Sequence, residues 1–506
     1  MLIASPDEMK KIDKETIEMG IPSLILMESA SIEVMNVINE NYNGKILILC
    51  GPGNNGGDGY ALARRLLING YTVVVYAWKK PKSKDCLHNH ELYKKIGGTV
   101  KNFSNHNDLL IDIKTSDVVV DGLFGTGFKG SLPEDIEEAF TVINKSKCKR
   151  IAIDIASGVN GNTGKVENNA FFADITVTFG LSKIGHYLQP GKYYTGELIV
   201  RNIGFPEKII RDNTSNECID LEFARELLPE RYPWEHKGSF GKVLIVGGSE
   251  DYTGATLMAA EGALLSGCGK VLTYTPEKAQ AVIRNNLPQI IAYSSSRANL
   301  GYNDIKIIDN LIKDIDVLVI GPGIGRKDET VKFVHDLLKL ASSINTLKVL
   351  IDADGLFALK KNMELLNGIY DTVLTPHPGE FSMLINKTVK EIINNLELVK
   401  ECASNWQSTL VLKGATSIIS DKSKKIRLNI AGNTGLAKGG SGDLLSGTIG
   451  AFMAQNMNGY DAASLGSYVM GKAAEMSNVN QRSCTIHDIT DAYTKVFDLL
   501  QKINRY

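Results

Sequence analysis

The chain has 506 residues, with 56 lysine and arginine residues against 57 aspartate and glutamate residues and a net charge of -1 at pH 7. That length exceeds what one ordinary hydrophobic core supports, and we predict two large domains. The balanced charge argues against a protein that binds nucleic acids through a general basic surface, and it favours small-molecule ligands.

The seven cysteines are scattered, odd in number and never arranged as a C-x-x-C pair. This pattern argues against a disulfide framework or a structural zinc site and indicates a reducing compartment. Residues 1–14 lack the apolar core of a signal peptide, and no later apolar run approaches about 20 residues, the length of a membrane span. The sequence therefore predicts a cytoplasmic protein with no membrane partner.

The N-terminal half alternates short apolar runs with glycine-bearing loops and segments of helical periodicity. A helical pattern spans Glu8 to Asn39, with a break at Gly20 to Pro22. The apolar runs that follow are of the buried, continuous kind, and most are separated by room for a crossover helix. This alternation is typical of a doubly wound α/β domain with a largely parallel sheet. The predicted strands are Lys45–Cys50, Tyr71–Tyr76, Asp117–Asp121, Arg150–Ile155 and Asp174–Phe179.

The alternation weakens between Phe205 and Gly241, where polar residues and prolines accumulate. We predict a polar connector there, with one domain over residues 1–213 and the other over residues 221–506. The second domain is again a doubly wound α/β domain, larger than the first. Its predicted strands are Lys242–Val246, Lys270–Thr275, Asp316–Ile320, Lys348–Asp352, Thr372–Thr375 and Thr409–Leu412.

A glycine-rich loop, Gly51–Gly59 (GPGNNGGDG), follows the first predicted strand and precedes a predicted helix at Tyr60–Ile68. In open α/β sheets ligands bind outside the carboxyl ends of the strands, where this loop would lie. The glycines permit close backbone approach, and Asn54, Asn55 and Asp58 offer side-chain oxygens to a ligand or cation. A plain tight turn needs fewer glycines and no such acids and amides, so we interpret the loop as a binding site.

Two further strand ends are predicted at the same edge of the sheet. Asp121 closes one strand and is followed by Gly125–Gly130 (GTGFKG), a match to G-x-G-x-x-G that is weak by itself. Asp154 lies at the end of another strand and is followed by Ala156–Gly158. An aspartate there could simply cap a turn, but the strand-end position favours a role in the site.

Together the motifs GPGNNGGDG, DGLFGTGFKG and DIASG resemble the YjeF N-terminal domain of the NAD(P)HX epimerase family, over about residues 1–205. Members of that family interconvert the R and S forms of NADH or NADPH hydrated on the nicotinamide ring, with help from a potassium ion. The resemblance implies a Rossmann-like fold in which Asp154 and Lys129 handle protons. It implies potassium ligands at Asn55, Asp121 and Ser157. The hydrate-binding residues it implies are Asn54, Asn55, Gly56, Gly57, Asp58, Gly125, Thr126, Gly127, Phe128, Lys129, Gly130, Ser131 and Asp154.

The loop Gly439–Asp443 (GGSGD), set before the apolar helical run Leu444–Ala454, is the most informative motif of the chain. Backbone N–H groups at a glycine-rich helix start, together with the positive end of the helix dipole, are suited to phosphate. A second negative charge beside phosphate is costly, so we predict that Asp443 accepts a proton from a hydroxyl that attacks the phosphate. In an isolated motif such an aspartate would more often only stabilise its helix, so the prediction depends on the neighbouring motifs.

Three more glycine-bearing turns follow strands in this domain, at Gly321–Gly325, Pro376–Glu380 and Lys413–Ser417. Together with the GGSGD loop they favour a nucleotide site over unrelated turns. His377 lies between two prolines after a strand, although a single histidine is more often structural. Glu380 could bind Mg²⁺ through water, because Mg²⁺ takes few protein carboxylates, and an exposed surface glutamate is an equal alternative.

The motifs KGSFGKVLIVGGS, YTGA, GPGIG, TPHPGE, LKGAT and GGSGD resemble the NAD(P)HX dehydratase branch of the ribokinase-like superfamily, from about Leu221 to the C-terminus. The resemblance implies that a phosphoryl group from ADP is transferred to the ring hydroxyl of the S hydrate, which yields AMP, phosphate and restored NADH or NADPH. ATP is not excluded as the donor. The implied hydrate contacts are Ala255, Gly323, His377 and Asp443, and the implied nucleotide contacts are Lys413, Gly414, Ala415, Thr416, Ser417 and Gly442.

The sequence thus predicts a homo-oligomeric, bifunctional repair enzyme for hydrated nicotinamide cofactors, with K⁺ in the first domain and Mg²⁺ and ADP in the second. One alternative is a ribokinase-like small-molecule kinase with a regulatory N-terminal domain, which a stable phosphorylated product would favour. Another treats the first domain as a non-catalytic binding module. The complete set of Asn54–Asp58, Lys129 and Asp154 favours an active first domain.

Overall fold

The computed structural model describes residues 1–42, 44–104 and 106–501. The described chain divides into two compact units, one formed by residues 2–216 and the other by residues 217–501 with Met1. The division lies inside the segment Phe205–Gly241, where the sequence pattern weakens. In the described residues, no helix has both the length and the apolar character that crossing a bilayer requires.

The strands of the first unit are β1 (Leu2–Ala4), β2 (Lys45–Cys50), β3 (Thr72–Ala77), β4 (Val100–Asn102), β5 (Val118–Gly122), β6 (Lys149–Ile153), β7 (Ile175–Phe179), β8 (Ser182–Lys183) and β9 (Glu197–Arg201). Its helices are α1 (Pro6–Glu18), α2 (Ser23–Asn41), α3 (Asn54–Ile68), α4 (Lys84–Lys95), α5 (His106–Thr115), α6 (Glu134–Ile143), α7 (Gly191–Thr195) and α8 (Glu207–Asn213), with a 3₁₀ turn at Ile184–His186.

A parallel sheet in the order β4-β3-β2-β5-β6-β7-β9 forms the centre of the first unit. Apolar clusters cover both of its faces, and alternate residues of β2 such as Ile48 and Leu49 belong to opposite clusters. Burial on both faces explains why the central strands appear in the sequence as continuous apolar runs.

Helix α3 differs from its prediction, because it begins at Asn54 rather than at Tyr60. Six of the nine residues of the predicted glycine loop, Asn54–Gly59, are therefore helical. At Gly56 a Cβ would overlap the carbonyl oxygen of Gly51, and at Gly57 it would lie 2.7 Å from Cε of Met27. The glycines allow the first turn of α3 to pack directly on its neighbours, and this packing outweighs the low helix propensity that glycine has by itself.

The strands of the second unit are β10 (Asn216–Ile219), β11 (Lys242–Val246), β12 (Lys270–Pro276), β13 (Ile291–Ser295), β14 (Val317–Ile320), β15 (Lys348–Ile351), β16 (Asp371–Leu374), β17 (Thr409–Leu412), β18 (Ser417–Ser420) and β19 (Ile426–Asn429). Its helices are α9 (Leu221–Leu227), α10 (Ala255–Leu265), α11 (Glu277–Asn286), α12 (Ile305–Ile312), α13 (Asp328–Ser342), α14 (Asp354–Ala358), α15 (Pro378–Ile385), α16 (Val389–Ile392), α17 (Leu396–Asn405), α18 (Ser441–Ala454), α19 (Gly459–Met476), α20 (Ile486–Asp491) and α21 (Tyr493–Leu500), with 3₁₀ turns at Tyr302–Asp304, Met363–Leu366 and Thr434–Leu436.

The strands of the second unit lie in the order β13-β12-β11-β14-β15-β16-β17-β18-β19-β10. They pair in parallel from β13 to β17, whereas β18 is antiparallel to both β17 and β19. The predicted connector is also more ordered than expected, because α8, β10 and α9 lie within it. Strand β18 and the elements of the connector are short or polar, and distant parts of the chain decide what they pack against.

Candidate active sites

The predicted hydrate-binding segments of the first unit converge at the carboxyl edge of its sheet. Asn55, in the first turn of α3, is 8% exposed, and its Nδ2 donates to the carbonyl oxygen of Phe124 over 3.0 Å. Gly125 lies so close to Asn55 that a Cβ there would be 3.5 Å from the Cβ of Asn55. The structure therefore brings the start of α3 and the loop after β5 together. The exposed predicted residues are Asn54, Gly127, Lys129, Gly130 and Ser131, and the half-buried ones are Asp58, Gly125, Thr126 and Phe128.

Asp121 and Ser157, two predicted potassium ligands, are in direct contact and buried. Asp121 accepts hydrogen bonds from Ser157 N (2.7 Å), Ser157 Oγ (2.8 Å) and Leu123 N (3.1 Å). Burial raises the pKa of Asp121 to about 6. Among the described residues no basic side chain pairs with this carboxyl group. Because a buried carboxylate without a positively charged partner is unfavourable, the site fits a cation with oxygen ligands.

Asp154 follows β6 directly and has a backbone φ of +66°, a conformation that costs energy for a residue with a side chain. Its Oδ1 accepts hydrogen bonds from Lys183 Nζ (2.5 Å), Thr178 Oγ1 (2.9 Å) and Phe179 N (3.4 Å). In the described chain Oδ2 has no hydrogen-bond partner, and the side chain is 18% exposed. One carboxylate oxygen is thus fixed, and the other is free to meet a ligand.

Lys183 is a functional candidate that the sequence analysis missed. Its side chain is completely buried, and Nζ also donates to Thr178 Oγ1 (2.8 Å) and Phe179 O (3.1 Å). Burial alone would raise the pKa of Asp154, but the Lys183 ammonium, with smaller contributions from His186 and Thr178, holds that pKa below its usual range. A lysine four residues after the buried strand β7 was the only signal available in the sequence. By contrast, Lys129 is exposed and forms no ion pair with a described residue.

His186 fixes the backbone on which Asp154 stands. Its Nδ1 accepts a hydrogen bond from Lys183 N (3.1 Å), and its Nε2 lies 3.1 Å from the carbonyl oxygen of Asp154. Burial lowers the pKa of His186 to about 3, so the ring is neutral. A neutral ring that accepts at Nδ1 carries its proton on Nε2 and donates to Asp154.

Asp58 has the opposite protonation preference to Asp154. Burial raises its pKa well above the usual range, and the negative charges of Asp154, Asp13 and Asp85 raise it further. Asp58 therefore holds a proton more strongly than Asp154 does. Two nearby carboxyl groups whose pKa values are driven apart are suited to act as an acid and a base.

The second unit gathers its predicted nucleotide and catalytic residues around Lys413. Nζ of Lys413 lies 2.9 Å from Oδ1 of Asp352 and 3.9 Å from Oε2 of Glu380. A Cβ at Gly442 would be 3.2 Å from the same nitrogen, so the ammonium lies against the start of α18. A charged lysine beside free helix N–H groups is suited to hold a phosphate.

Asp443 lies in the first turn of α18, which begins at Ser441. Gly440 caps this helix with a φ of +95°, where a Cβ would also clash with the Met258 side chain. Burial raises the pKa of Asp443 to about 7, and the negative charge of Asp352 adds to the rise. A carboxyl group with this pKa can exchange a proton near neutral pH.

Asp352 is a second functional candidate, after Lys183, that the sequence did not single out. The sequence placed it only at the end of a predicted strand. It is 1% exposed, and its Oδ2 is buried without a hydrogen-bond partner among the described residues. A Cβ at Gly442 would lie 3.6 Å from that oxygen. The unpartnered oxygen therefore faces the start of α18.

His377 caps helix α15, which is the structural role that a single histidine more often has. Its Nδ1 accepts from Gly379 N (3.0 Å) and Glu380 N (3.3 Å), and its own N donates to Glu380 Oε2 (2.8 Å). The ring remains 57% exposed and available to a ligand. The Glu380 side chain is only 12% exposed, so the alternative of an exposed surface glutamate is wrong.

The remaining predicted residues lie at strand ends or helix starts of the second unit. A Cβ at Gly323 would be 2.8 Å from the Cβ atoms of both Ala255 and Tyr252, so the two predicted hydrate contacts are neighbours. Gly414 and Ala415 are exposed at the turn between β17 and β18, whereas Thr416 is buried and Ser417 starts β18. The ligand contacts of all these residues stay predictions.

Two family models match the chain, one per unit. The model described as YjeF-related protein N-terminus matches residues 23–185, and the model described as NAD(P)H-hydrate dehydratase matches residues 243–495.

Curated relatives match almost the whole chain. The bifunctional NAD(P)H-hydrate repair enzyme Nnr of Moorella thermoacetica is 36% identical over 97% of this chain and 96% of its own length. The enzyme of the same name from Dictyoglomus turgidum is 35% identical over 93% of both chains.

Solved structures resemble the second unit. An ADP/ATP-dependent NAD(P)H-hydrate dehydratase from Bacillus subtilis, co-crystallized with ATP/Mg²⁺, is 29% identical with a TM-score of 0.50, covering 57% of this chain and all of that one. A ribokinase-like superfamily protein from Enterococcus faecalis, 21% identical with a TM-score of 0.50 over 57% of this chain and 98% of its own, shares the fold. The predicted fold class and the predicted family are confirmed. The chain belongs to the family of bifunctional NAD(P)H-hydrate repair enzymes.

Proposed function

We propose that the chain repairs hydrated NADH and NADPH in two steps. Residues 2–216 interconvert the R and S hydrates, and residues 217–501 dehydrate the S hydrate with ADP. The observation that carries the proposal is that each unit places a partly buried aspartate beside a lysine at the carboxyl edge of its sheet, Asp154 with Lys183 and Asp443 with Lys413. The names of the relatives support repair over the small-molecule kinase alternative.

In the dehydratase site, Asp443 accepts the proton of the ring hydroxyl. The hydroxyl oxygen then bonds to the terminal phosphorus of ADP as the bond to AMP breaks. Lys413 and the N–H groups at the start of α18 stabilise the charge on the transferred group. Phosphate is a far better leaving group than hydroxide, and its elimination, with loss of a proton from the neighbouring ring carbon to water, restores the dihydropyridine ring.

The buried carboxyl groups of Asp352 and Glu380 fit a divalent cation bound partly through water, since Asp352 Oδ2 lacks a partner among the described residues. These two residues would hold Mg²⁺, which when bound neutralises charge on the nucleotide phosphates. The Bacillus subtilis dehydratase, which was co-crystallized with ATP/Mg²⁺, supports a role for Mg²⁺ in this unit.

In the epimerase site, Asp154 accepts a proton from the ligand through Oδ2 and Asp58 donates one. Lys183 keeps Asp154 ionised and holds its other oxygen. Lys129, in the loop after β5, is the second predicted proton-handling group, and its exposed side chain is free to approach the ligand.

Asn55, Asp121 and Ser157 would hold K⁺, since oxygen atoms replace the hydration shell of this ion and Asp121 is a buried carboxyl group without a basic partner in the described chain. When bound, K⁺ supplies positive charge near the ligand. The predicted homo-oligomer and cytoplasmic location are further proposals, and sedimentation velocity would measure the first.

Replacing K⁺ by tetramethylammonium should slow epimerisation of the R hydrate while dehydration of the S hydrate proceeds unchanged. K⁺ should also stabilise the first unit against unfolding, by about 2.7 kcal/mol at a hundredfold excess over its dissociation constant. Differential scanning calorimetry would measure this shift, and Asp121→Asn should abolish it. Identical unfolding in the two salts would contradict the potassium site.

The proposed function is tested by supplying mixed R and S hydrates with ADP or ATP and following the absorbance of reduced nicotinamide. We expect complete recovery with ADP, because the S form is consumed directly and the R form after epimerisation. If recovery of reduced nicotinamide stops once the S hydrate is consumed, the proposed epimerase activity is wrong. A stable phosphorylated product would restore the kinase alternative.

A further inference from the structure

A basic segment, defined here as Lys79–Lys84 (KKPKSK), follows β3 in the first unit. Its four lysines are exposed, and none forms an ion pair with a residue of the described chain. No carboxyl group interrupts the segment, and the first acid after it is Asp85. Such a concentration of unpaired positive charge attracts an anion. The alternative is that these lysines are only solvated by water. The position of the segment in the fold distinguishes an anion site from a solvated surface.

The basic segment lies beside the glycine turn that leads to α3. Strands β2 and β3 are parallel neighbours, with Cys50 opposite Ala77. The parallel pairing continues past the strand ends, because Trp78 N donates to Cys50 O over 3.0 Å. Lys82 N then donates to Pro52 O over 2.8 Å. The segment is therefore tied to the turn at the same edge of the sheet as the candidate epimerase site.

Strand β2, helix α3 and strand β3 together form a βαβ unit of the dinucleotide-binding kind. In such units the pyrophosphate lies at the helix N-terminus, and the end of the second strand meets the adenosine ribose. A carboxylate at that point binds the ribose 2′-hydroxyl, whereas a basic residue accommodates a 2′-phosphate. Here the second strand is β3, and Trp78, Lys79 and Lys80 follow it instead of a carboxylate.

The side chain of Trp78 holds one of these lysines in place. Nζ of Lys79 lies 3.8 Å from the centre of the Trp78 ring. The ring packs edge-on against Phe124 with centroids 5.3 Å apart, and its Nε1 donates to Asp135 Oδ2 over 2.9 Å. A fixed indole thus keeps the Lys79 ammonium near the strand end by a cation–π contact.

We infer that the basic segment binds the 2′-phosphate of the adenosine ribose, so that the epimerase site favours hydrated NADPH over hydrated NADH. This inference deepens the proposed function and rests on it for the identity of the substrate. A hydrogen bond to a charged group corresponds to roughly tenfold in affinity or more. One or two such bonds to the phosphate predict a preference of about 10- to 100-fold.

The test compares kcat/KM for epimerisation of the two R hydrates without added nucleotide, using the whole chain. We expect the wild type to prefer hydrated NADPH, and the double variant Lys79→Gln, Lys80→Gln to lose that preference through a higher KM. The same variant should process hydrated NADH within about twofold of the wild type, because that substrate has no group for the lysines to hold. Lys95→Gln, in the last turn of α4, removes an exposed charge outside the segment and serves as the matched control.

Equal kcat/KM for the two hydrates in the wild type would overturn the inference, as would an equal loss on both substrates in the double variant. If neither hydrate is epimerised, the proposed epimerase function is wrong. The phosphate site at the basic segment is then tested by measuring ligand binding alone. With ADP saturating the second unit, adenosine 2′,5′-bisphosphate should then bind more tightly than AMP, and the double variant should abolish the difference. Equal binding of the two probes by the wild type would overturn the inference independently of activity.

Discussion

Asp443→Asn is expected to lower ADP-dependent dehydration of the S hydrate by about 10²- to 10⁴-fold, the range of a general base, while epimerisation proceeds at the wild-type rate. Asparagine has nearly the same shape but cannot accept the hydroxyl proton. Dehydration would be followed by the absorbance of reduced nicotinamide and epimerisation by chromatographic separation of the R and S forms. Asp309→Asn, an exposed aspartate on α12, is the matched control.

The pH dependence gives this prediction a second readout. Burial raises the pKa of Asp443 to about 7, and the base acts only after it has lost its proton. Hence kcat/KM for dehydration should rise as the pH increases through about 7 and level off above it. Asp443→Asn should lack this rise. Near-normal dehydration by the variant, or an unchanged rise with pH, would remove Asp443 from the mechanism.

Asp154→Asn should slow epimerisation of the R hydrate by about 10²- to 10⁴-fold and leave dehydration of the S hydrate intact. Initial rates with pure R hydrate are needed, because the two forms also interconvert spontaneously. Equal initial rates for the variant and the wild type would contradict a catalytic role for Asp154.

Lys183→Met tests how Asp154 is kept ionised. Burial raises the pKa of Asp154 and Lys183 lowers it, so removal of the ammonium takes away the main opposition to the effect of burial. The fraction of ionised Asp154 at a given pH then falls, and the acid limb of the epimerisation profile should move to higher pH. Thr178→Val removes a hydrogen bond to the same Asp154 oxygen without removing a charge, so it should move the limb much less.

Loss of one partner of a buried ion pair also costs about 3–5 kcal/mol of stability, so unfolding must be measured beside activity. Circular dichroism would report whether Lys183→Met is folded under the assay conditions. A folded variant with the wild-type pH profile would show that Lys183 is only structural. If Lys183→Met is unfolded, the profile of Thr178→Val decides: a large shift there would contradict the role of charge.

The sequence alone predicted the strands buried on both faces, in three cases with the bounds of the structure: Lys45–Cys50, Lys242–Val246 and Thr409–Leu412. Such strands are recognisable because nearly every residue after the first is apolar, whichever face of the sheet it occupies. The half-exposed strand β9 and the short strand β4 were missed, since an edge strand is buried only in part and carries a weaker pattern. The glycine motifs, in turn, identified the family because their spacing is local.

The tertiary structure decided the start of α3 and the lysine partners of Asp154 and Asp352. Glycines that suggested a loop instead allow close packing of the first helical turn, and that packing depends on Gly51 and Met27 from other elements. Lys183 is 29 residues from Asp154, and Lys413 is 61 residues from Asp352. No pattern of neighbouring residues contains such pairings. They arise because parallel strands bring the residues at their carboxyl ends to one edge of a sheet, where burial and nearby charge set each pKa.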